Sequence, residues 1–328
     1  MSNFKSIGSD MEVFAKKPSG EYMALCGLIG GSKEVPLQLP HLPPGFMVQE
    51  DNVALEFNIP PVISASNFID HMDRMKNESN TIITKLGFEM SNESSALFDK
   101  GQLVHPKALT FGCEPDYDAW LMCENPKPTT DDPTLRTAGG HIHVGTDRNM
   151  AEVIKNMDLF LGVPSILLDD SKSSKERRKL YGKAGAMRPK FYGVEYRTLS
   201  NFWLFDKDLI RWVYYQTELA CHFAQDISKD QERIVECINN GDKKLAEDLV
   251  KEYNININYV KPNLKTPRIS NKSIHELLDE IQYHQPNPFT LHQANLDMMQ
   301  PYQPIVIPPH NFIIQDEISN GDEFDDGL

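Results

Sequence analysis

Cysteine is scarce in this 328-residue chain, and the five present, Cys26, Cys113, Cys123, Cys221 and Cys237, form no Cys-x-x-Cys pair. An odd, scattered set of thiols excludes a disulfide framework and a thiolate zinc site, and fits a reducing cytoplasm. Long apolar runs are also missing. Nothing approaches the roughly 18–20 residues that span a bilayer, and Met1 to Asp10 lacks the apolar stretch of a signal peptide. Positive charge is in deficit, with 33 basic against 47 acidic side chains and a formal net charge of −14. That surplus repels phosphate backbones, so a general nucleic-acid binder is excluded and any anion site must be a local basic island. No repeat with a period of about 20–50 residues is present, which removes solenoids and propellers. The expectation is a soluble intracellular protein.

What is present divides by texture. From Gly8 to about Trp203, short alternating runs are separated by Gly- and Pro-rich turns, the pattern of an antiparallel sheet interrupted by helices. From Lys207 onward the texture is mostly helical. Apolar residues at three- and four-residue spacing predict helices over Ser64 to Leu86, Asn149 to Asp169, Lys207 to Ile227, Lys243 to Tyr253 and Ser273 to Gln282. Ser64 or Ser66, and Ser273, are the expected N-caps. Six prolines between His284 and Pro309, then an acidic stretch from Asp316 to Asp326, predict an extended arm and a poorly ordered tail. The expected division is residues 1–228 as one domain and 229–328 as a mostly helical extension bearing that arm and tail.

Three short elements carry chemistry. Read as one strand, Gln49 to Ile59 puts Val53, Leu55, Phe57 and Ile59 on one face and Glu50, Asn52, Glu56 and Asn58 on the other. A solvated sheet surface shows the same alternation, so convergence with other elements must decide. Gly139-Gly140-His141-Ile142-His143-Val144-Gly145 places two imidazoles on one strand face, where they can meet on one ion or one anion. In Tyr192 to Asn201, Glu195 and Arg197 share a face opposite Val194, Tyr196 and Thr198. That pair reads either as a cross-strand salt bridge or as a cation ligand beside a phosphoryl-stabilising guanidinium. Asp10 and Glu12 repeat the acid-bearing alternation near the N-terminus.

Lys172 to Lys190 holds Lys172, Lys175, Arg177, Arg178, Lys179, Lys183, Arg188 and Lys190 against one acid, Glu176. This is the expected basic island, with triphosphate as its candidate anion and an exposed basic helix flank as the alternative. Two motifs fail on inspection. Gly27-Leu28-Ile29-Gly30-Gly31-Ser32-Lys33-Glu34 misses the Walker A spacing, because Ser32 stands where Gly is needed and Glu34 where Ser or Thr is needed. Lys33 remains a candidate anion contact. Cys113 lies near acids without a base partner and is read as part of a loop wall.

The ordered set of Gly8-Ser9-Asp10-Met11-Glu12, Gly30-Gly31-Ser32-Lys33, Gln49-Glu50-Asp51-Asn52, Glu56-Phe57-Asn58-Ile59-Pro60-Pro61, Gly140 to Gly145, Arg177 to Gly185 and Glu195 to Asn201 resembles the phage-type carboxylate-amine (COOH-NH2) ligases. These belong to the glutamine synthetase and glutamate-cysteine ligase superfamily. The resemblance runs from about Gly8 to Trp203. Met11 stands where that family's opening motif often has Pro, a departure that touches only the local turn. The resemblance implies an α+β fold, a curved antiparallel sheet of glutamine-synthetase-like type with helices packed on one face, and ATP with Mg²⁺ or Mn²⁺ on the other. It also implies Glu12, Glu50, Glu56, His141 or His143, and Glu195 as metal ligands. Arg197, Arg178 and Lys183 become contacts to phosphate or acyl phosphate, with Arg177 and Lys33 as further candidate nucleotide contacts, and a phage-encoded copy works in the host cytoplasm.

Implied with the family is amide formation between a small-molecule or peptide carboxylate and an amine. A carboxylate resists attack by an amine, whereas phosphoryl transfer makes an acyl phosphate with a competent leaving group. Glu195 and Arg197 then serve the transfer, and Asp51 or Asp116 takes the ammonium proton. Two rivals remain: a zinc hydrolase using His141 and His143, and an inactive virion structural or interaction protein that keeps the fold.

Overall fold

The computed structural model describes residues 3–109, 116–169 and 171–257. Its strands are β1 (Ser6–Lys16), β2 (Tyr22–Met23), β3 (Leu37–Gln38), β4 (Met47–Asp51), β5 (Ala54–Asn58), β6 (Glu89–Ser91), β7 (Ser95–Leu97), β8 (Tyr117–Asp118), β9 (Cys123–Glu124), β10 (Leu135–Thr137), β11 (Gly140–Gly145), β12 (Ala186–Lys190) and β13 (Gly193–Tyr196). Its helices are α1 (Ala65–Lys85), α2 (Pro106–Leu109), α3 (Met150–Met157), α4 (Val163–Leu168), α5 (Lys172–Arg177), α6 (Lys207–His222), α7 (Gln231–Asn240) and α8 (Lys243–Glu252). The architecture is α+β.

Eleven of these strands form one antiparallel sheet in the order β3-β4-β5-β1-β11-β13-β12-β8-β9, with β2 and β6 pairing further along β1. The sheet is not closed into a barrel. Alternation sorts its two faces: Ile7, Met11, Val13, Leu55, Phe57, Ile142, Val144, Val194 and Tyr196 enter one hydrophobic core. Phe68, Met72, Met75 and Ile83 of α1 and Ile210, Trp212 and Val213 of α6 pack into the same core. The opposite sheet face carries the polar side chains of Asp10, Glu12 and Glu56, and a smaller apolar cluster joins Phe14 and Ala54 to Phe98 and to Ala108 of α2.

Helix starts follow their caps. Ser64 Oγ accepts from Asn67 N–H at 3.3 Å and Asn149 Oδ1 from Glu152 N–H at 3.2 Å, so α1 and α3 begin where the sequence places them. The expected helix Asn149 to Asp169 is present with a π-helical turn, Asp158–Gly162, joining α3 to α4. Helix α6 stops at His222, short of Ile227, because Phe223 is extended and Arg148 takes the Cys221 and Phe223 carbonyls at 2.8 and 2.7 Å. Helix α7 was not expected from the sequence; it ends on Gly241 at φ 65°, and Asp242 caps α8. No helix among the described residues is long and apolar enough to cross a membrane. The expected helix Ser273 to Gln282 with its Ser273 cap, the Pro-rich arm, the acidic tail and Cys113 all lie outside the described residues.

One strand reading is corrected. Gln49 to Ile59 is a hairpin, with Asn52 in the left-handed region at φ 53° and the register Asp51↔Ala54, Glu50↔Leu55 and Gln49↔Glu56. A two-residue turn reverses the parity of faces. Gln49 therefore shares the polar face with Glu56, and Glu50 goes to the Leu55 side.

Candidate metal and phosphoryl-transfer site

Register builds the polar face row by row. Glu12 lies opposite Glu56, Asp10 opposite both Asn58 and His141, and Glu195 opposite both His143 and Arg188. Directly paired residues point to the same side, so four strands deliver their acids and imidazoles to one place. Two groups result, each with one ligand atom per residue and all three atoms within 4.8 Å: Glu12 with Asp51 and Glu56, and Asp10 with His143 and Glu195. His141 Nδ1 adjoins the second group, 3.4 Å from Asp10 and 3.8 Å from Glu195. The cleft over them is about 350 Å³ and is also lined by Lys33, Gln49, Arg188, Lys190 and Arg197. A smaller recess of about 80 Å³, reached past Glu12, Asp51, His141 and Arg197, is walled by Arg136, Arg177 and Tyr181.

Glu195 is fully buried and gathers cations. Lys190 Nζ is 2.9 Å from it, Arg188 Nη1 is 3.3 Å away, and Arg197 Nη1 donates to Oε1 directly. Burial and the Asp10 charge push its carboxyl up, but Arg197, His141 and His143 outweigh them and hold it at about 2. Glu195 thus makes the salt bridge to Arg197, and one of its oxygens also lies within 4.8 Å of ligand atoms on Asp10 and His143. Asp10 is likewise held well below the usual range, since its two histidines outweigh burial, and Asp10 in turn raises His143 against the effect of burial.

The first group behaves oppositely. Burial, followed by the charges of Asp10, Asp51 and Glu12, pushes Glu56 well above the usual carboxylate range. Burial also raises Glu12, with Asp51 adding to the effect, while His141, the Gly139 N–H at 2.6 Å and Arg197 pull it back. Three carboxylates this close repel unless a cation or proton sits among them. Their donors are all oxygen, which suits a hard divalent ion, and the second group adds one imidazole nitrogen. Asp10 Oδ1 and His143 Nε2 are buried 3.1 Å apart, neither in a hydrogen bond of good geometry. The residues fit metal ions in both places.

Among the expected site residues, Glu12, Asp51, Glu56, His141, His143, Arg197 and Lys33 line the cleft, and Glu195 is buried behind them within reach of Asp10 and His143. Arg177 reaches only the recess, where it is buried and donates to the main-chain carbonyls of Thr198 and Arg197 at 3.0 and 3.3 Å. Glu50 is not with the other acids. It accepts from the Ile29 and Gly30 amides, a consequence of the hairpin turn. Arg178 and Lys183 line neither part of the cleft; Arg178 is buried toward Asp169, Cys237 and Tyr196. The basic stretch is therefore not one island: Lys179 pairs with Glu176 on the surface, while Arg188 and Lys190 turn into the cleft. Asp116 lies 4.0 Å from Arg197.

Sequence reasoning left Asp10 and Tyr192 outside the site and counted Arg188 and Lys190 only as members of the basic stretch. Asp10 carried a signal, as it shares a strand face with Glu12, and Arg188-Pro189-Lys190 shows strand spacing inside a stretch read by charge alone. Tyr192, whose hydroxyl meets His143 Nδ1, gave none.

Fold and site together define an α+β protein with an acid- and imidazole-bearing cleft on the open face of an antiparallel sheet. Residues 134–286 match the model of the family described as Phage phiEco32-like COOH.NH2 ligase-type 2. The chain thus carries the phage-type carboxylate-amine ligase signature over that stretch, which includes His141, His143, Arg188, Lys190, Glu195 and Arg197. The match starts after the N-terminal strands and continues beyond Trp203, so its span differs from that of the motifs read in the sequence. No curated protein matches the chain.

Proposed function

We propose that the protein is an ATP-dependent carboxylate-amine ligase that forms an amide through an acyl phosphate. The observation carrying this reading is the convergence of two oxygen-rich ligand groups with Arg188, Lys190 and Arg197 on one sheet face. Phosphoryl transfer needs little covalent help from a protein; it needs fixed positive charge around the transferring group and water kept away.

Glu12, Asp51 and Glu56 would hold one Mg²⁺ or Mn²⁺, and Asp10, His143 and Glu195 a second. Such ions, when bound, neutralise phosphate charge and polarise the phosphoryl group. Arg197, oriented by Glu195 and by its own main-chain bond to Ala186 O at 2.9 Å, presents a guanidinium to the charge that grows in transfer. Arg188, Lys190 and Lys33 supply the remaining contacts to the polyphosphate. Of the two acids expected to take the ammonium proton, Asp51 belongs to a metal group, which leaves Asp116 beside Arg197 for that step.

A zinc hydrolase is less well supported. Among the described residues only one of the two histidines enters a metal-capable group, and five carboxylates surround them. An inactive relative leaves the buried, mutually repelling carboxylates without a use.

Hydroxylamine, a small nucleophile able to replace the unknown amine, gives the test. With ATP, Mg²⁺ and pooled carboxylic acids, the protein should form hydroxamate and release ADP and phosphate in equal amounts. Chelation should stop the reaction, and zinc alone should not restore it. Release of AMP and pyrophosphate would move attack to the α-phosphorus and remove the role given to Arg197. Product formed without ATP consumption would end the phosphoryl-transfer reading.

A further inference from the structure

The glycine-rich stretch Gly27 to Lys33 fails as a phosphate loop by spacing, yet its backbone does form an anion cradle. The anion in that cradle is the chain's own. Gly27, Gly30 and Gly31 have φ of 81°, 84° and 76°, a region glycine enters without steric cost. The Ile29 and Gly30 amides are thereby turned onto Glu50 Oε1 at 3.0 and 2.7 Å. Successive amides converging on one anion make a nest of the kind that elsewhere holds phosphate.

The other oxygen of Glu50 accepts from Lys107 Nζ at 2.8 Å, and the same ammonium donates to Gly31 O at 3.3 Å. The Glu50 side chain is 2% exposed and that of Lys107 is 42%. A buried carboxylate held by two amides and an ammonium is a structural anion, satisfied by the chain itself. The loop it holds leads directly to Lys33. Ser32 and Val35 bracket that residue with paired main-chain bonds of 3.0 and 3.1 Å, and Lys33 lines the cleft with Asp10, Asp51, Glu56 and Arg188. A side chain at Gly31 would be strained, because its φ is 76° and a Cβ there would meet Val48 O and Leu37 Cγ at 3.1 Å.

We propose that Glu50 is a positioning residue: with Lys107 as counter-ion it locks the Gly27–Gly31 loop and so sets Lys33 over the polyphosphate of the bound nucleotide. The ligand's identity rests on the ligase reading, while the lock rests on geometry alone.

ADP with Mg²⁺ is the probe, titrated calorimetrically into wild type, Lys33→Met, Glu50→Ala, Lys107→Met and the double variant Glu50→Ala/Lys33→Met. Lys33→Met should weaken ADP binding about tenfold, the equivalent of one charge-assisted hydrogen bond. Glu50→Ala should weaken it about as much, and the double variant little more than either single one, because both changes remove the same contact. Hydrogen exchange at the Ile29 and Gly30 amides should accelerate in Glu50→Ala and Lys107→Met but not in Lys33→Met. Lys107→Met keeps the test open should Glu50→Ala fold poorly, since it loosens the loop from the surface. Wild-type ADP affinity in both loop variants, or additive losses in the double variant, would overturn the proposal and leave the ligase reading standing. Failure of the wild-type protein to bind ADP at all would overturn both.

Discussion

Glu56 sits in the least comfortable position of any carboxylate in the cleft, buried and facing Asp10, Glu12 and Asp51. Its raised pKa means that the folded state holds the proton better than the unfolded chain. The associated stability is present at low pH and is lost as pH rises through the folded value. Glu56→Gln keeps the shape and removes the charge permanently. The metal-free variant should melt higher than wild type at pH 8, by roughly 2–4 °C for each kcal/mol of relieved repulsion, with a smaller gain at pH 5. The same variant should lose most of the rise in melting temperature that Mg²⁺ or Mn²⁺ gives wild type. A variant melting below wild type at pH 8, or keeping the full metal response, would show that Glu56 belongs to no cation group.

Between β13 and the helical layer, the π turn Asp158–Gly162 carries a second buried carboxyl of a different kind. Asp158 accepts from Trp120 Nε1 at 2.7 Å, Gly185 N–H at 2.6 Å, Tyr196 Oη at 2.9 Å and Thr198 Oγ1 at 3.3 Å. Tyr196 and Thr198 flank Arg197, so this element braces the strand behind the cleft, and π turns recur where a helix must aim one residue. Burial pushes Asp158 up to about 7 even though these hydrogen bonds pull it down. A raised carboxyl favours the folded state below about pH 4, and that advantage is lost as pH rises to 7. The loss is on the order of 4 kcal/mol. Asp158→Asn should therefore flatten the fall in melting temperature between pH 4 and 7. An unchanged slope in thermal melts across that range would assign the pH dependence elsewhere.

At the scale of the whole molecule, α7 and α8 complete the core although they follow the expected domain boundary at residue 228. Ile234, Cys237 and Ile238 of α7 and Ala246, Leu249 and Val250 of α8 join the same buried cluster as Phe160, Ile166 and Tyr196. Burying each larger apolar side chain is worth about 1.5–3 kcal/mol, and domains are stable by only about 5–15. A chain ending at Ser228 should thus lose cooperative unfolding in circular-dichroism melts, whereas one ending at Ile257 should keep it. A sharp transition in the shorter chain would establish residues 1–228 as an independent domain.

Local pattern by itself determined the strands around Asp10, His141 and Glu195, the alternation that separates their polar and core faces, and the starts of α1, α3 and α8. Periods of two and 3.6 residues and capping side chains act over a few residues, so they are legible without neighbours. It did not determine how the strands align. The Asn52-Val53 turn was absorbed into a strand, and because a turn reverses face parity, Glu50 was placed among the metal ligands when it clips the Gly27–Gly31 loop. Charge counting gathered Arg178 and Lys183 with Arg188 and Lys190, yet only strand β12 carries its basic residues into the cleft, since composition says nothing of direction. Asp10 became a member of the second ligand group through the β1–β11 and β11–β13 registers, and register is set by long-range pairing of backbones. The kinds of chemical group available were thus written locally, and the tertiary structure alone decided which of them meet.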